Sequence, residues 1–424
     1  MIAIPFIYFT LLSIYLIRKH NGIDISAFLA MLYAFSGACS ILLDANNIYD
    51  VNGVCEQMPI SPWATFTYCA LLTLSIVPFS KLDSRSLKDI DIQKEWIIDA
   101  LSWVLIITFF ITLYSTFVNL NQVLHADLKD VRDDMYDNMD KEKLTGLQYI
   151  LALPETFFSQ FSPVAILLYF LNIAKDRKST VFNWLLLLSS MTPVIKAVLI
   201  AGRTQPIYWF LSFCALYILF RPILNQQQRK KALFPFWFFG GIVGIFFAAV
   251  TIARFQMADV TDDTGTWDSL LAYSGQSFIN FNDFFTNYTA ESVHLDRVMP
   301  LTNYFVWHPG WDLEDYRDMI WSHSGMNIGV FFTFLGDLLI DLGHSGMVAY
   351  VLLFSLISYL LCRSANKEGT ITLSRLLLIL MLFLIPLQGI FYYSYYKVNV
   401  GFYIVGTLII CFMLSHTIKS KYDA

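Results

Sequence analysis

Two aspartates one helical turn apart, Asp337 and Asp341, have the spacing that says most about chemistry. They belong to the stretch Met326-Asn-Ile-Gly-Val-Phe-Phe-Thr-Phe-Leu-Gly-Asp-Leu-Leu-Ile-Asp-Leu-Gly-His-Ser-Gly346. If that stretch is helical, Thr333, Asp337 and Asp341 fall at i, i+4 and i+8 and make one polar stripe on an otherwise apolar surface. Carboxylates so placed can hold a catalytic histidine or arginine in position; the plainer reading is a helix cap with aspartates that tie loops together. The cations come next. Arg203 sits in Pro193-Val-Ile-Lys-Ala-Val-Leu-Ile-Ala-Gly-Arg-Thr-Gln-Pro206, where Gly202 and Pro206 allow the helix to break. Arg254 sits in Val250-Thr-Ile-Ala-Arg-Phe-Gln256, where an apolar run gives way to a long polar stretch. Arg203 either faces a polar cavity or simply snorkels from a span end, and Arg254 either has a local partner or a task or is an interfacial anchor. Arg297 and Arg317 read more simply as solvated charges or ion-pair partners. His294, His308, His323 and His344 all follow in the same long stretch. Any of them can act as a general base near neutral pH, although surface residence is the simpler account of each. His323, in Trp321-Ser-His-Ser-Gly325, and His308, in Trp307-His-Pro-Gly-Trp311, stand nearest to other polar features.

Other patterns argue for little. Asp89-Ile-Asp91 has the form used to hold a metal by enzymes that act on nucleotide sugars, but it lies in a short linker with no domain around it. Five of the six cysteines fall in apolar runs and only Cys55 is in a loop, so no disulfide framework is indicated. No CxxC pair or HExxH occurs, and the expectation is that neither metal nor cofactor is needed. Asn287-Tyr-Thr289 is a glycosylation sequon that matters only in a eukaryotic secretory pathway.

The elements that must position these groups are set by composition. Hydrophobic residues make up 56% of the 424 and charged residues only 14%, with a mean hydropathy of +0.55. Soluble domains carry about 25% charged residues, so lipid is the implied solvent. Runs long enough to span a membrane fall near 2–17, 25–43, 62–80, 95–118, 148–173, 181–202, 206–220, 234–252, 345–362, 371–391 and 399–416, about eleven in all. The fold expected is an all-α polytopic integral membrane protein forming one membrane domain over 1–424. Its linkers at Arg18/Lys19, Lys81 to Lys94, Lys175 to Lys178, Arg221 to Lys231, Arg363/Lys367 and Lys419/Lys421 are basic and fall on one side, the cytoplasm by the positive-inside rule. The other side receives 44–61, 119–147 and 253–344, rich in Asp and Glu, with the N-terminus outside and the C-terminus in the cytoplasm. Met1 to Ile17 reads as a retained first span. The large loop 253–344 is expected to hold short re-entrant or interfacial helices, Thr333 to Gly343 among them. Nothing is basic enough for nucleic acid.

Three stretches carry a resemblance: Ala201-Gly-Arg-Thr204 at a span end, Arg254 at the start of the large loop, and Thr333-Phe-Leu-Gly-Asp-Leu-Leu-Ile-Asp-Leu-Gly343 closing it. With the topology over most of the chain, they resemble the bacterial O-antigen polymerase family, the oligosaccharide repeat-unit polymerases of the inner membrane. Phe332 is a departure, since a tyrosine is expected there. The resemblance implies an inverting, metal-independent glycosyltransferase of the GT-C type working at the periplasmic face. Its substrates are glycans linked by pyrophosphate to undecaprenol; membrane lipid, and optionally a chain-length regulator, are its other partners. On that reading Arg203 and Arg254, with Arg317 as a third, bind the pyrophosphate. His323, His308 or Asp337 takes the proton of the attacking hydroxyl, and Asp341 orients a neighbour. The alternatives are an O-antigen ligase using the same donor, a transporter or flippase of lipid-linked sugars, and a membrane acyltransferase. A transporter needs charges along a mid-membrane path, where Lys196 alone stands.

Overall fold

The computed structural model describes residues 1–50, 53–82, 87–123, 154–155, 157–199, 204–258, 266–288, 295, 297–302, 305–306, 320, 322, 328–365, 369–395 and 398–415. For 119–123, 198–199, 242–243, 246–258, 266, 364–365 and 398–399 it describes the backbone alone. The helices, in chain order, are α1 (Ala3–Lys19), α2 (Ile25–Ala45), α3 (Pro62–Ile76), α4 (Glu95–Val123), α5 (Ser162–Ala174), α6 (Thr180–Ser189), α7 (Thr192–Leu199), α8 (Thr204–Phe220), α9 (Gln226–Ala258), α10 (Thr266–Asn287), α11 (Thr333–Ala365), α12 (Leu373–Gln388) and α13 (Val398–Ser415). Two short strands, β1 (Asp89–Asp91) and β2 (Thr370–Thr372), pair in parallel.

Among the described residues, four helices are long and apolar enough to cross a membrane: Ile25–Ala45, Pro62–Lys81, Glu95–Val118 and Thr333–Arg363. Shorter apolar helices cover Ser159–Ala174, Thr180–Ser189, Thr204–Phe220, Leu373–Gln388 and Val400–Ser415. This is the helical, membrane-compatible architecture that the composition predicts. The apolar run expected at 181–202 departs from the sequence reading: its described residues, to 199, form α6 and α7 with a break at Ser190 and Met191. The hydroxyls of Ser189, Ser190 and Thr192 each donate to the carbonyl three residues earlier. Such local bonds compete with the helical ladder.

The chain forms two compact units. The first comprises 1–83, 243–360 and 382–401. Its centre is the contact of α10 with α2. A Cβ at Gly275 would lie 2.6 Å from the Cys39 carbonyl carbon, so only glycine lets the two backbones approach this closely. Ser36 and Ser40 of α2 then donate to the carbonyls of Ser274 and Gly275, at 3.1 and 2.6 Å. Small residues with hydroxyls at a helix contact are the usual means of joining helices where lipid removes the hydrophobic drive. Tyr68 of α3 packs its ring on Phe278 and Phe281 of α10, with centroids 5.0 and 5.4 Å apart. The Tyr33 hydroxyl donates to the Pro386 carbonyl. The interval 253–344, expected to carry only short helices, therefore contains the 22-residue α10, whose Gln276, Ser277, Asn280 and Asn282 are all buried. Those polar residues lower its hydropathy while their side chains are satisfied inside the protein.

The second unit comprises 84–242, 361–381 and 402–424. Here α5 is the core, buried at every residue from Ser162 to Ile173. The Tyr169 hydroxyl donates to the Ala232 carbonyl, and Phe213 stacks on Phe236 with centroids 4.0 Å apart. The basic linker after α5 is neutralised locally: Lys175 pairs with Asp89, Arg177 with Glu95 and Asp99, and Lys178 with Asp99. Asp89-Ile-Asp91 is thus a strand with an ion-paired first residue. No metal-holding cluster occurs among the described residues.

Candidate functional site

The described part of the site is built on the first half of α11. Thr333 opens the helix with φ 62, a left-handed conformation unusual for a β-branched residue. Its hydroxyl oxygen accepts from Leu335 N at 3.3 Å, and Phe334 N donates to the Gly389 carbonyl at 2.9 Å. Capping and a tertiary partner together hold this uncommon backbone geometry. At the other end Gly343, φ 66 and ψ −178, interrupts the helix before it continues to Ala365. The stripe between these points is as the spacing predicts: Thr333, Asp337 and Asp341 are each 0% exposed.

The two carboxylates converge on Arg297. Asp337 Oδ1 lies 2.6 Å from Arg297 Nε. Asp337 Oδ2 accepts from Tyr393 N. Asp341 Oδ2 accepts two main-chain N–H groups, from Arg297 and Val298, each at 2.7 Å. The arginine is only 4% exposed, and its guanidinium carbon stands 5.5 Å from the centre of the Phe332 ring. The ring face supplies a cation–π contact that needs no hydroxyl, which gives the phenylalanine at 332 a role of its own. Burying three charges is costly unless they are compensated; here Asp337 and Arg297 form an ion pair, and each carboxylate accepts main-chain N–H groups through its Oδ2.

Neighbours complete the wall. The Tyr288 hydroxyl donates to the Ile340 carbonyl at 3.2 Å. Burial first, and then the Asp341 carboxylate, push this phenol up to about 12 against the opposing pull of Arg297. It therefore stays protonated at neutral pH. His344 Nε2 lies 2.9 Å from the Phe285 carbonyl, and its ring meets Phe285 edge-on.

A second polar knot sits on α10. Asn280 Nδ2 donates to the carbonyls of Gly53 and Phe331, at 2.8 and 2.9 Å, and its Oδ1 accepts from Cys55 N at 3.0 Å. Gln276 Oε1 accepts from Phe331 N at 3.2 Å. Asn282 Oδ1 accepts from Ser61 N at 2.8 Å. Gln276 and Asn280, one turn apart, thereby tie Gly53 and Cys55 to Phe331 at the entry to α11, while Asn282 on another side of the helix holds Ser61. Burial, with the Asp283 carboxylate adding to it, pushes the Cys55 thiol up to about 12.

Of the residues singled out from sequence, Asp337 and Asp341 come together around Arg297. Arg203, Arg317, His308, His323 and His294 lie outside the described residues. Arg254 falls within α9, whose helix runs on to Ala258, and only its backbone is described. Lys196, on α7, pairs with Glu155 at 2.9 Å in the second unit, so it is a neutralised charge. Arg297 was legible only as a solvated charge or an ion-pair partner, and it is buried and paired. The signal for more was the carboxylate pair itself, which demands a cation or several N–H groups once buried. Comparison with protein-family models, with curated proteins and with solved structures finds no match for this chain.

Proposed function

We propose that this protein polymerises oligosaccharide repeat units carried on undecaprenyl pyrophosphate. It transfers a growing glycan to a new lipid-linked unit at the periplasmic face of a bacterial inner membrane. The proposal includes about eleven spans of GT-C type, with basic linkers in the cytoplasm. The observation that carries it is the buried hold of Asp337 and Asp341 on Arg297. Arg297 and Val298 are held by charge onto an apolar helix, as presenting the residues that follow them to a lipid-anchored substrate would require.

The chemistry follows from the substrate. The glycosyl–phosphate bond is already activated, so the enzyme must bind the departing diphosphate, deprotonate the attacking hydroxyl and align the two. Arg203 and Arg254 are the proposed diphosphate ligands, with Arg317 as a third, because planar guanidinium groups match phosphate oxygens in pairs. The acceptor hydroxyl attacks the anomeric carbon, the bond to phosphate breaks with its electron pair, and the hydroxyl proton passes to a base, His323 or His308. Asp337 is the weaker choice for base, since both its oxygens are engaged and the side chain is enclosed.

The test is direct. Arg203→Ala and Arg254→Ala proteins, shown to be inserted and abundant, should accumulate single repeat units, each losing about a hundred- to thousand-fold in transfer rate. Arg→Lys at either position should also impair transfer. Full-length polymer from both alanine variants would refute the assignment. Normal chain length without attachment to the lipid core, in a strain lacking the protein, would favour the ligase instead.

A further inference from the structure

We infer that Arg297 is a positioning residue. Together with Asp337, Asp341, Gln276 and Asn280 it forms two buried clips that fix the chain on either side of the stretch bearing His308, Arg317 and His323. The inference rests on the proposed transferase reading. The first clip closes at Arg297 and Val298, where one carboxylate oxygen of Asp341 receives two successive main-chain N–H groups and Asp337 faces the guanidinium. The second closes at Phe331, whose N–H and carbonyl are taken by Gln276 and Asn280. All five side-chain anchors are buried.

The cost of the arrangement argues for its purpose. Apolar side chains would hold a loop to apolar helices at less expense than three buried charges and two buried amides. Apolar packing, however, allows a chain to slide, whereas hydrogen bonds to named N–H and C=O groups specify register to within tenths of an ångström. Reacting groups need placement of that quality, because small misplacements carry large rate penalties. Arg297 is also unsuited to be a phosphate ligand itself, since it faces Asp337 beneath the Phe332 ring and is almost wholly enclosed. The clip needs a cation at 297 and an oxygen acceptor at 341, but no proton transfer at either.

Paired substitutions separate these roles. Arg297→Ala and Asp341→Ala should each lower turnover by about a hundredfold while the Michaelis constant for lipid-linked repeats moves less than about threefold. Arg297→Lys keeps the charge facing Asp337, and Asp341→Asn keeps an oxygen for both N–H groups. Each should therefore recover at least about tenfold of the lost turnover. Purified full-length protein in detergent, with synthetic undecaprenyl-pyrophosphate repeats as the probe, gives both constants. Hydrogen exchange at the Val298 and Phe331 amides gives a second readout that does not depend on catalysis. The Arg297 and Asp341 alanine variants should speed exchange at Val298, and Asn280→Ala should speed it at Phe331.

Three results would overturn the inference. One is an Arg297→Lys protein as inactive as Arg297→Ala with a raised Michaelis constant, which would make Arg297 a substrate ligand. Another is a folded Asp341→Asn protein as inactive as Asp341→Ala, which would give the carboxylate a chemical role. The third is unchanged exchange in every variant. If the wild-type protein fails to elongate repeats, the transferase reading falls, while faster exchange in the alanine variants would leave the clips standing as structural anchors. Should an alanine variant not fold, the lysine and asparagine variants still decide between the roles.

Discussion

Replacing Arg297 by methionine removes one charge from the buried trio while keeping most of the side-chain volume. Asp337, 0% exposed, then faces no guanidinium. Breaking a buried pair from one side costs about 3–5 kcal/mol, because the remaining charge has neither counter-charge nor water. Asp337→Leu removes the carboxylate that faces Arg297, at a similar cost, and also takes the acceptor from Tyr393 N, about 1–3 kcal/mol more. The double substitution Arg297→Met with Asp337→Leu leaves no stranded charge at this pair, while the Tyr393 N–H loses its acceptor. Its deficit should be about 1–3 kcal/mol, smaller than that of either single variant. Asp341 keeps its two main-chain donors in all three proteins. Denaturant unfolding in detergent, followed by tryptophan fluorescence and circular dichroism, orders the four proteins. A double variant less stable than both single ones, or single variants within about 1 kcal/mol of wild type, would refute the view that a desolvated ion pair holds this site.

Other consequences follow from local geometry. Gly275→Leu should prevent α10 from seating on α2, because even a Cβ would stand 2.6 Å from Cys39; the check is loss of the monodisperse peak in size-exclusion chromatography, while Gly241→Leu, with open space at its Cβ position, should leave that peak unchanged. Asn280→Leu strands Cys55 N and the Gly53 and Phe331 carbonyls, and should cost about 2–5 kcal/mol in the same unfolding assay. The Cys55 thiol, pushed up to about 12 by burial and by Asp283, is neutral at pH 8. Its alkylation by iodoacetamide should therefore keep rising between pH 8 and 10, where an ordinary thiol levels off near 9, and Asp283→Asn should speed the reaction at pH 8.

Much of the helical plan could be read from hydropathy, because span length and apolar content leave few alternatives in lipid. The runs at 25–43, 62–80, 95–118 and 206–220 match α2, α3, α4 and α8 closely. The stripe of Thr333, Asp337 and Asp341 was legible for the same reason, since one period of 3.6 residues fixes it. Two features were not. The break at Ser190 depends on side-chain hydroxyls choosing local carbonyls, a competition that hydropathy does not register. The burial of α10 hides behind its own amides, for Gln276, Asn280 and Asn282 look like loop residues until their partners at 53–61 and 331 are in place. Arg297 belongs to this second kind: its partners lie 40 and 44 residues further along the chain, at Asp337 and Asp341.

The first unit is assembled from three separated pieces of chain, and that sets the order in which it can be completed during synthesis. Tyr33 emerges early, yet the carbonyl its hydroxyl bonds to, at Pro386, is 353 residues away. At ordinary translation rates of about 5–20 residues per second, the gap is on the order of 20–70 s. Throughout that interval the early helices lack their final neighbours while already committed to lipid. A ribosome stalled before the last helices would therefore leave a half-built bundle with exposed polar groups, a substrate for membrane quality control.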